Sequence, residues 1–490
     1  MTIRYSASWL NSAQTTIHSD TRTGEILNAS ILINANMISV QYADRIGATV
    51  AIDPRVRTTV FPQEIQGELI QAAIAQAVGT GLGLTMNWGA SCAYPVDSLR
   101  SASFTQKYGL ASSVMGGVII NDVATEEDVR NGVCLVNAKP GPYDELVIKY
   151  LYQPIYASSL QEEKETLDSW IREHTGDPYY AYIRNQSRFD SDPRNSRGSL
   201  GDDHLKSFDY MLPNVRKGFE NYYSWFAKED RDFLMRRRVH SALSERLSGR
   251  IYAILSYIGG IYLNDIREKD AIPSYSMVDR EKQKAALSKA LELAKNLDWV
   301  DDTAHLNEFE ISDKKADRLR LDIFNGIFGR LPYVEVCTER FPDAAYTASE
   351  YLDDIYGIVW EGVLKHRPLE NFERALQTAF LESIISTSTA TAPIGSFKAS
   401  KTGFAATGKP EINLAALRNG GKVDMKMYSL QNAEEVAGFS SIPPIYTNQT
   451  KIAAYYFDLL MRTKDMLKKA ISTAPEACLL YTSPSPRDCS

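Results

Sequence analysis

The chain has 490 residues, 44% hydrophobic and 23% charged, ordinary values for a water-soluble globular protein long enough for more than one packing unit. Its net charge of −7, from 54 Lys and Arg against 61 Asp and Glu, argues against a nucleic acid or an anionic membrane as partner, and no apolar run approaches the roughly 18 residues that cross a bilayer. The six His (18, 174, 204, 240, 305, 366) are too scattered for two to share a helical turn as metal ligands, and the five Cys (92, 134, 337, 478, 489) form neither a CxxC pair nor an even disulfide framework.

The N-terminus lacks the basic and apolar stretches of a secretory signal. It starts as a strand, with Ile3, Tyr5, Ala7 and Trp9 alternating with polar neighbours. After the turn dipeptide Thr23-Gly24, alternation returns over 25–33 and predicts a second strand. Pro62 opens a helix over 63–82 carrying Ile65, Leu69, Ile74 and Val78, and glycines close it. From about 159 onward helical patterns dominate. The clearest covers 279–297, with Asp279 placed to cap it and Ala286, Leu287, Ala290, Ala294 and Leu297 in one stripe. Others span roughly 229–258, 312–328, 345–365, 369–385 and 451–470, interrupted by polar stretches at 186–203 and 385–410. No internal repeat is present. Residues 478–490 resemble the translation of a transposon adapter used in sequencing libraries. On that reading they lie outside the fold, the Cys count falls to three and the natural C-terminus is missing.

The segment richest in chemistry runs from Ala75 to Ser91, AQAVGTGLGLTMNWGAS. Its frame resembles the long zinc signature of the metzincin metalloproteases, HExxHxxGxxH, with Gly83 at the eighth position. In that signature two His four apart on one helix face bind zinc, the Glu beside the first activates the zinc-bound water, and a turn at the Gly brings a third His to the metal. The resemblance extends further, to the bacterial zinc-dependent metalloproteases of the Met-zincin domain family. Residues 21–29 (TRTGEILNA) are similar to their substrate-side strand. Residues 94–100 and 104–109 are similar to their post-signature segment, Ser113-Val114-Met115 to their Met-turn and 141–152 to the helix that follows it. Residues 243–264 are similar to their helical part. Order and spacing agree over roughly 2–300.

The resemblance implies an α+β fold with two parts. A metzincin-like (zincin) domain, shortened at its N-terminus, covers 1–158, and a mainly helical region covers 159–477. It also implies a periplasmic or extracellular location. The chemistry departs from the family. The three ligand positions hold Gln76, Thr80 and Met86, the general-base position holds Ala77, and Gly117 stands where a Tyr able to stabilise an oxyanion is expected. Neutral amide and hydroxyl oxygens and a thioether are poor substitutes for imidazole at zinc, and Ala cannot move a proton. The expectation is therefore a pseudoprotease that needs no zinc, whose former cleft binds a peptide or protein. An extended peptide would pair with an edge strand over 25–33, with Glu25, Leu27, Ala29 and Ile31 as the substrate-strand candidates. The alternative is an active zinc endopeptidase that draws ligands from elsewhere, such as His18 with distant carboxylates. A third reading is a decayed gene product without a selected role.

Other motifs carry less. Gly79-Thr80-Gly81-Leu82-Gly83 ends a helix rather than opening one after a strand, unlike a dinucleotide loop. Lys401-Thr402-Gly403 matches a motif of penicillin-binding enzymes, but no Ser-x-x-Lys accompanies it. Arg236-Arg237-Arg238 reads as a solvated helix face. Asp190, Asp192, Asp202 and Asp203 surround a loop able to hold calcium, but their spacing is not that of an EF-hand, so a solvated loop is expected. Met115 reads equally well as core, and Cys92 and Cys134 have no His close in sequence.

Overall fold

A computed structural model describes residues 1–8, 10, 13–183, 191–195, 199–264, 266, 270, 272–305, 315–388 and 449–473. The adapter-like 478–490, the Lys401 motif and Asp190 fall outside them.

The architecture is α+β. Three strands form the first sheet, β1 (Thr2–Ser6), β2 (Ala13–Ser19) and β3 (Ile26–Asn34), in the order β1-β3-β2. The β1–β3 pairing is parallel, with Ile3 beside Ile31, and the β2–β3 pairing is antiparallel, with Thr15 beside Ile31. The strand expected at an edge is thus the middle strand, because the polar segment AQTTIHS forms β2 and occupies its other side. Ala7 lies beyond the end of β1, and Trp9 is not described. Along β3, Ala29, Ile31 and Ile33 alternate inward against α2 (Gln63–Gly81), where Ala73 and Ala77 meet them. Between strand and helix lies α1 (Ala35–Thr49), which the sequence pattern did not mark.

After α2 the chain passes through short turns and the small helices α3 (Ala102–Tyr108) and α4 (Glu126–Arg130), then α5 (Pro142–Tyr152) and α6 (Leu160–Arg172). The long helices α7 (His204–Phe226) and α8 (Leu234–Leu255) follow. A two-stranded sheet, β4 (Ile261–Leu263) with β5 (Tyr275–Met277), precedes α9 (Arg280–Lys295). The expected stripe of α9 is buried throughout, including Leu297 beyond its end, but the Asp279 side chain makes no capping hydrogen bond. The remaining helices are α10 (Lys315–Gly329), α11 (Leu331–Arg340), α12 (Ala348–Val359), α13 (Glu361–Leu364), α14 (Asn371–Ser388) and α15 (Gln449–Thr473). The pattern over 345–365 therefore holds two helices, with a break at Trp360.

One apolar core joins both halves of the chain. Ile46, Val50, Phe61, Ile65 and Leu69 pack in the same cluster as Phe208, Met211, Leu243, Leu247, Leu287 and Phe324. A buried ionic group reinforces the junction between the turn segment and α8. Asp122 accepts from Arg246 Nε at 2.7 Å and Arg250 Nε at 2.8 Å, and also from Arg250 Nη2. Burial alone would raise the Asp122 carboxyl, but the two guanidinium charges outweigh it and hold it below the ordinary carboxylate value.

Arg236 corrects the expectation of a solvated face. It is buried and hydrogen-bonds the Asp230 carboxylate and carbonyl, whereas Arg237 and Arg238 are exposed.

Asp122→Asn is expected to lower stability by about 3–5 kcal/mol, since it leaves two largely buried guanidiniums without their full partner; denaturant unfolding measures this. Because its folded pKa is depressed, the Asp122 contribution is present above the unfolded value of 3.8 and is lost as pH falls through the lower folded value.

Candidate functional site

The site is built on the C-terminal end of α2 and the turn after it. Gly83 adopts φ +90°, a conformation that costs a side-chain-bearing residue, and so ends the helix. Leu84 N donates to Gly79 O at 3.0 Å and Gly83 N to Thr80 O at 2.9 Å, which satisfies the last carbonyls of the helix. Tyr152 of α5 donates its hydroxyl to Leu82 O at 2.7 Å and fastens the turn from outside. The chain then runs back along the helix, and Met86 Sδ comes within 3.1 Å of Gln76 Nε2. Thr80 lies one turn after Gln76, its hydroxyl donating to Gln76 O at 3.2 Å. The three positions that the frame assigns to ligands thus share one locality, and a direct contact joins the first and third. Ala77 turns away from them. It is buried among Ile31, Ile33, Met37 and Ala73, and its carbonyl accepts from Thr15 Oγ1 of β2 at 3.1 Å.

Met115 forms the layer beneath. It is fully buried with Leu84 and Val114, and Met86, Ala75 and Leu82 pack against them. A Cβ at Gly79 would lie 2.6 Å from Met115 Sδ, so the glycine allows the approach between α2 and the turn at 114–116. Asn87 N donates to Met115 O at 3.0 Å and aligns the returning chain with that turn. Asp144 in the first turn of α5 fixes the same turn from its other side. Its carboxylate accepts from Ser113 Oγ at 2.5 Å, Val114 N at 2.9 Å and Gly141 N at 2.9 Å. Burial pushes the Asp144 carboxyl above its usual value despite these donors. Gly117 follows with φ +89°, and the atom nearest to where its Cβ would stand belongs to the Trp88 ring.

The sequence reading places Asp144 within the segment 141–152 and gives it no individual role. The signal was available, because an acid at the third position of a helix can accept from the amide of the residue that precedes the helix, as Asp144 does from Gly141 N. It also missed Tyr182, whose ring stacks on Tyr143 at 6.0 Å and whose hydroxyl lies 3.1 Å from Thr85 Oγ1 beside Met86.

The substrate-strand candidates divide. Glu25 precedes β3, Leu27 is exposed, and Ala29 and Ile31 are buried beneath the sheet where a peptide cannot reach them. His18 is exposed on β2. Among the described residues no three His, Cys, Asp or Glu come together in a group able to hold a metal ion. His204 and His240 are neutral core groups, both pushed down to about 4 by burial. The acidic loop is structural where it is described. Asp192 is buried and paired with Arg194, Asp202 accepts from Val96 N, and Asp203 caps α7 through the amides of Leu205 and Lys206. Cys92 is buried with its Sγ 3.1 Å from Ser199 Oγ, and burial pushes its thiol up, the opposite of an activated nucleophile.

A family model described as Met-zincin matches residues 58–367, which include α2, the Gly83 turn and Met115. This bears out the resemblance drawn from the sequence. No curated protein and no solved structure matches the chain.

Gly83→Ala is expected to cost about 1–2 kcal/mol by forcing a Cβ into the left-handed region, and its effect is read by thermal unfolding. Asp144→Ala removes three donors' common acceptor and is expected to cost about 3 kcal/mol. As the folded Asp144 pKa is raised, the wild-type chain loses stability relative to this variant as pH rises from the unfolded value of 3.8 through the folded one. Unfolding measured across that window checks the sign.

Proposed function

Because the chain belongs to the Met-zincin family, we propose that it is a pseudoprotease, a zinc-protease scaffold that binds an extended peptide or protein segment without cleaving it. The observation that carries this reading is the contact between Gln76 Nε2 and Met86 Sδ. The family frame is retained, but its first and third ligand positions are closed on each other by an amide and a thioether. Zinc is the metal of the family, and the residues at its positions do not fit it. Gln76 and Thr80 offer neutral oxygens, Met86 a soft thioether, and Thr80 Oγ1 already bonds to its own helix. Ala77 supplies no base, and it is buried against β3 rather than turned toward Gln76 and Met86. A floor of this composition folds without metal, since no ligand must be deprotonated and no charge neutralised there.

Peptide capture needs only backbone groups. Strand β2 pairs with β3 along one side, and among the described residues no strand covers its other side. Thr15 joins β2 to Ala77, so this open edge runs beside the former catalytic helix. An extended segment adds to such an edge through main-chain hydrogen bonds, and β2 replaces 25–33 as the strand proposed to receive it. We place the protein in the periplasm or outside the cell, as resemblance to the family implies. No helix among the described residues is long and apolar enough to cross a membrane.

The reading is tested by incubating the chain with unfolded casein and added zinc, with and without phenanthroline. The expected result is no chelator-sensitive cleavage. Cleavage that phenanthroline abolishes and zinc restores overturns it and favours ligands drawn from elsewhere.

A further inference from the structure

Large exposed apolar side chains concentrate in one short stretch. Tyr150, Leu151, Tyr152, Tyr156, Leu160 and Ile171 all lie within the end of α5, the connection after it, and α6. Tyr156 is 97% and Leu160 85% exposed, although both are residues whose burial normally stabilises a fold. Helix α6 has no buried residue, and its apolar side chains Leu160, Leu167, Trp170 and Ile171 recur at helical spacing. Clustered exposure of this kind marks an interaction surface, whereas single exposed apolar residues are ordinary.

The charge around the patch decides what it fits. Residues 149–173 contain Glu162, Glu163, Glu165, Asp168 and Glu173 against Lys149, Lys164 and Arg172, a net charge of 3 − 5 = −2. The Lys149 ammonium sits 4.4 Å over the Trp170 ring and so stays beside the patch. A second copy of this surface carries the same acidic excess and is repelled, as is an anionic membrane.

We propose that the α5–α6 surface docks a basic amphipathic protein segment, whose apolar side chains cover Tyr156 and Leu160 while its Lys and Arg face the acids of α6. Tyr152 belongs to this surface and also holds Leu82 at the Gly83 turn, so the occupant would lie next to the former cleft without entering its floor. The proposal is independent of whether the chain cleaves anything.

The test measures fluorescence anisotropy of a labelled amphipathic peptide made of Leu and Lys, with a Leu and Glu twin as control, against the full chain. The expected result is salt-sensitive binding of the basic peptide alone. Tyr156→Ser and Leu160→Ser, both at exposed positions, should each weaken it about tenfold, and Glu163→Lys with Asp168→Lys should remove its salt dependence. Thermal unfolding of the Ser variants should match that of the parent. Equal binding of both peptides overturns the proposal and leaves a merely adhesive patch. So does binding to phosphatidylglycerol vesicles that Tyr156→Ser abolishes, or self-association that the same variant abolishes.

Discussion

The reversal at Gly83 is the constraint on which the site depends. A helix of 19 residues ends there because one glycine takes φ +90°, and the chain must then run back along the surface it has just left. Everything that follows uses the return. Met86 reaches Gln76, Leu84 enters the cluster around Met115, and Asn87 bonds to Met115 O. Tyr152 and Asp144, both on α5, hold the two turns from outside. Packing and hydrogen bonds within the chain thus hold both turns in place.

On the proposed reading, the fold can outlast the chemistry because these contacts do not depend on it. In an active zinc site, imidazoles and a carboxylate are held in place by the metal and by partners that satisfy their second nitrogen or oxygen. Here the corresponding side chains satisfy one another or the backbone. Gln76 donates to Met86, Thr80 donates within its own helix, and Ala77 contributes apolar packing beneath β3. Each polar group at these positions has a partner that the local structure supplies. The larger body is secured elsewhere, by the core shared between α1, α2 and the long helices and by Asp122 between Arg246 and Arg250.

Much of this was legible in the sequence where periodicity and punctuation agree. Helix α2 was readable from Ile65 and Leu69 between Pro62 and the closing glycines, and α9 from a stripe that proved buried to its last member. The convergence of positions 76, 80 and 86 was readable only through the family frame, because no local pattern requires a Met to return to a Gln. Strand β2 was hidden because AQTTIHS has neither strong alternation nor many apolar residues, and its pairing with β3 moved the expected edge to the centre. Helix α7 was obscured by Pro213 and its polar neighbours, although Phe208, Met211, Val215, Phe219, Tyr222 and Phe226 keep helical spacing. The burial of Arg236 depends on Asp230 folding back over the start of α8, a tertiary contact that three consecutive arginines do not announce.

The central claim is that an intact zincin frame surrounds a floor that does not hold zinc. Its most direct test is the zinc content per chain of the purified protein, by elemental analysis after dialysis against metal-free buffer. The account predicts a value near zero, unchanged when zinc is supplied and the excess removed. A value near one zinc per chain would contradict it, because ligands other than Gln76, Thr80 and Met86 would then have rebuilt the centre.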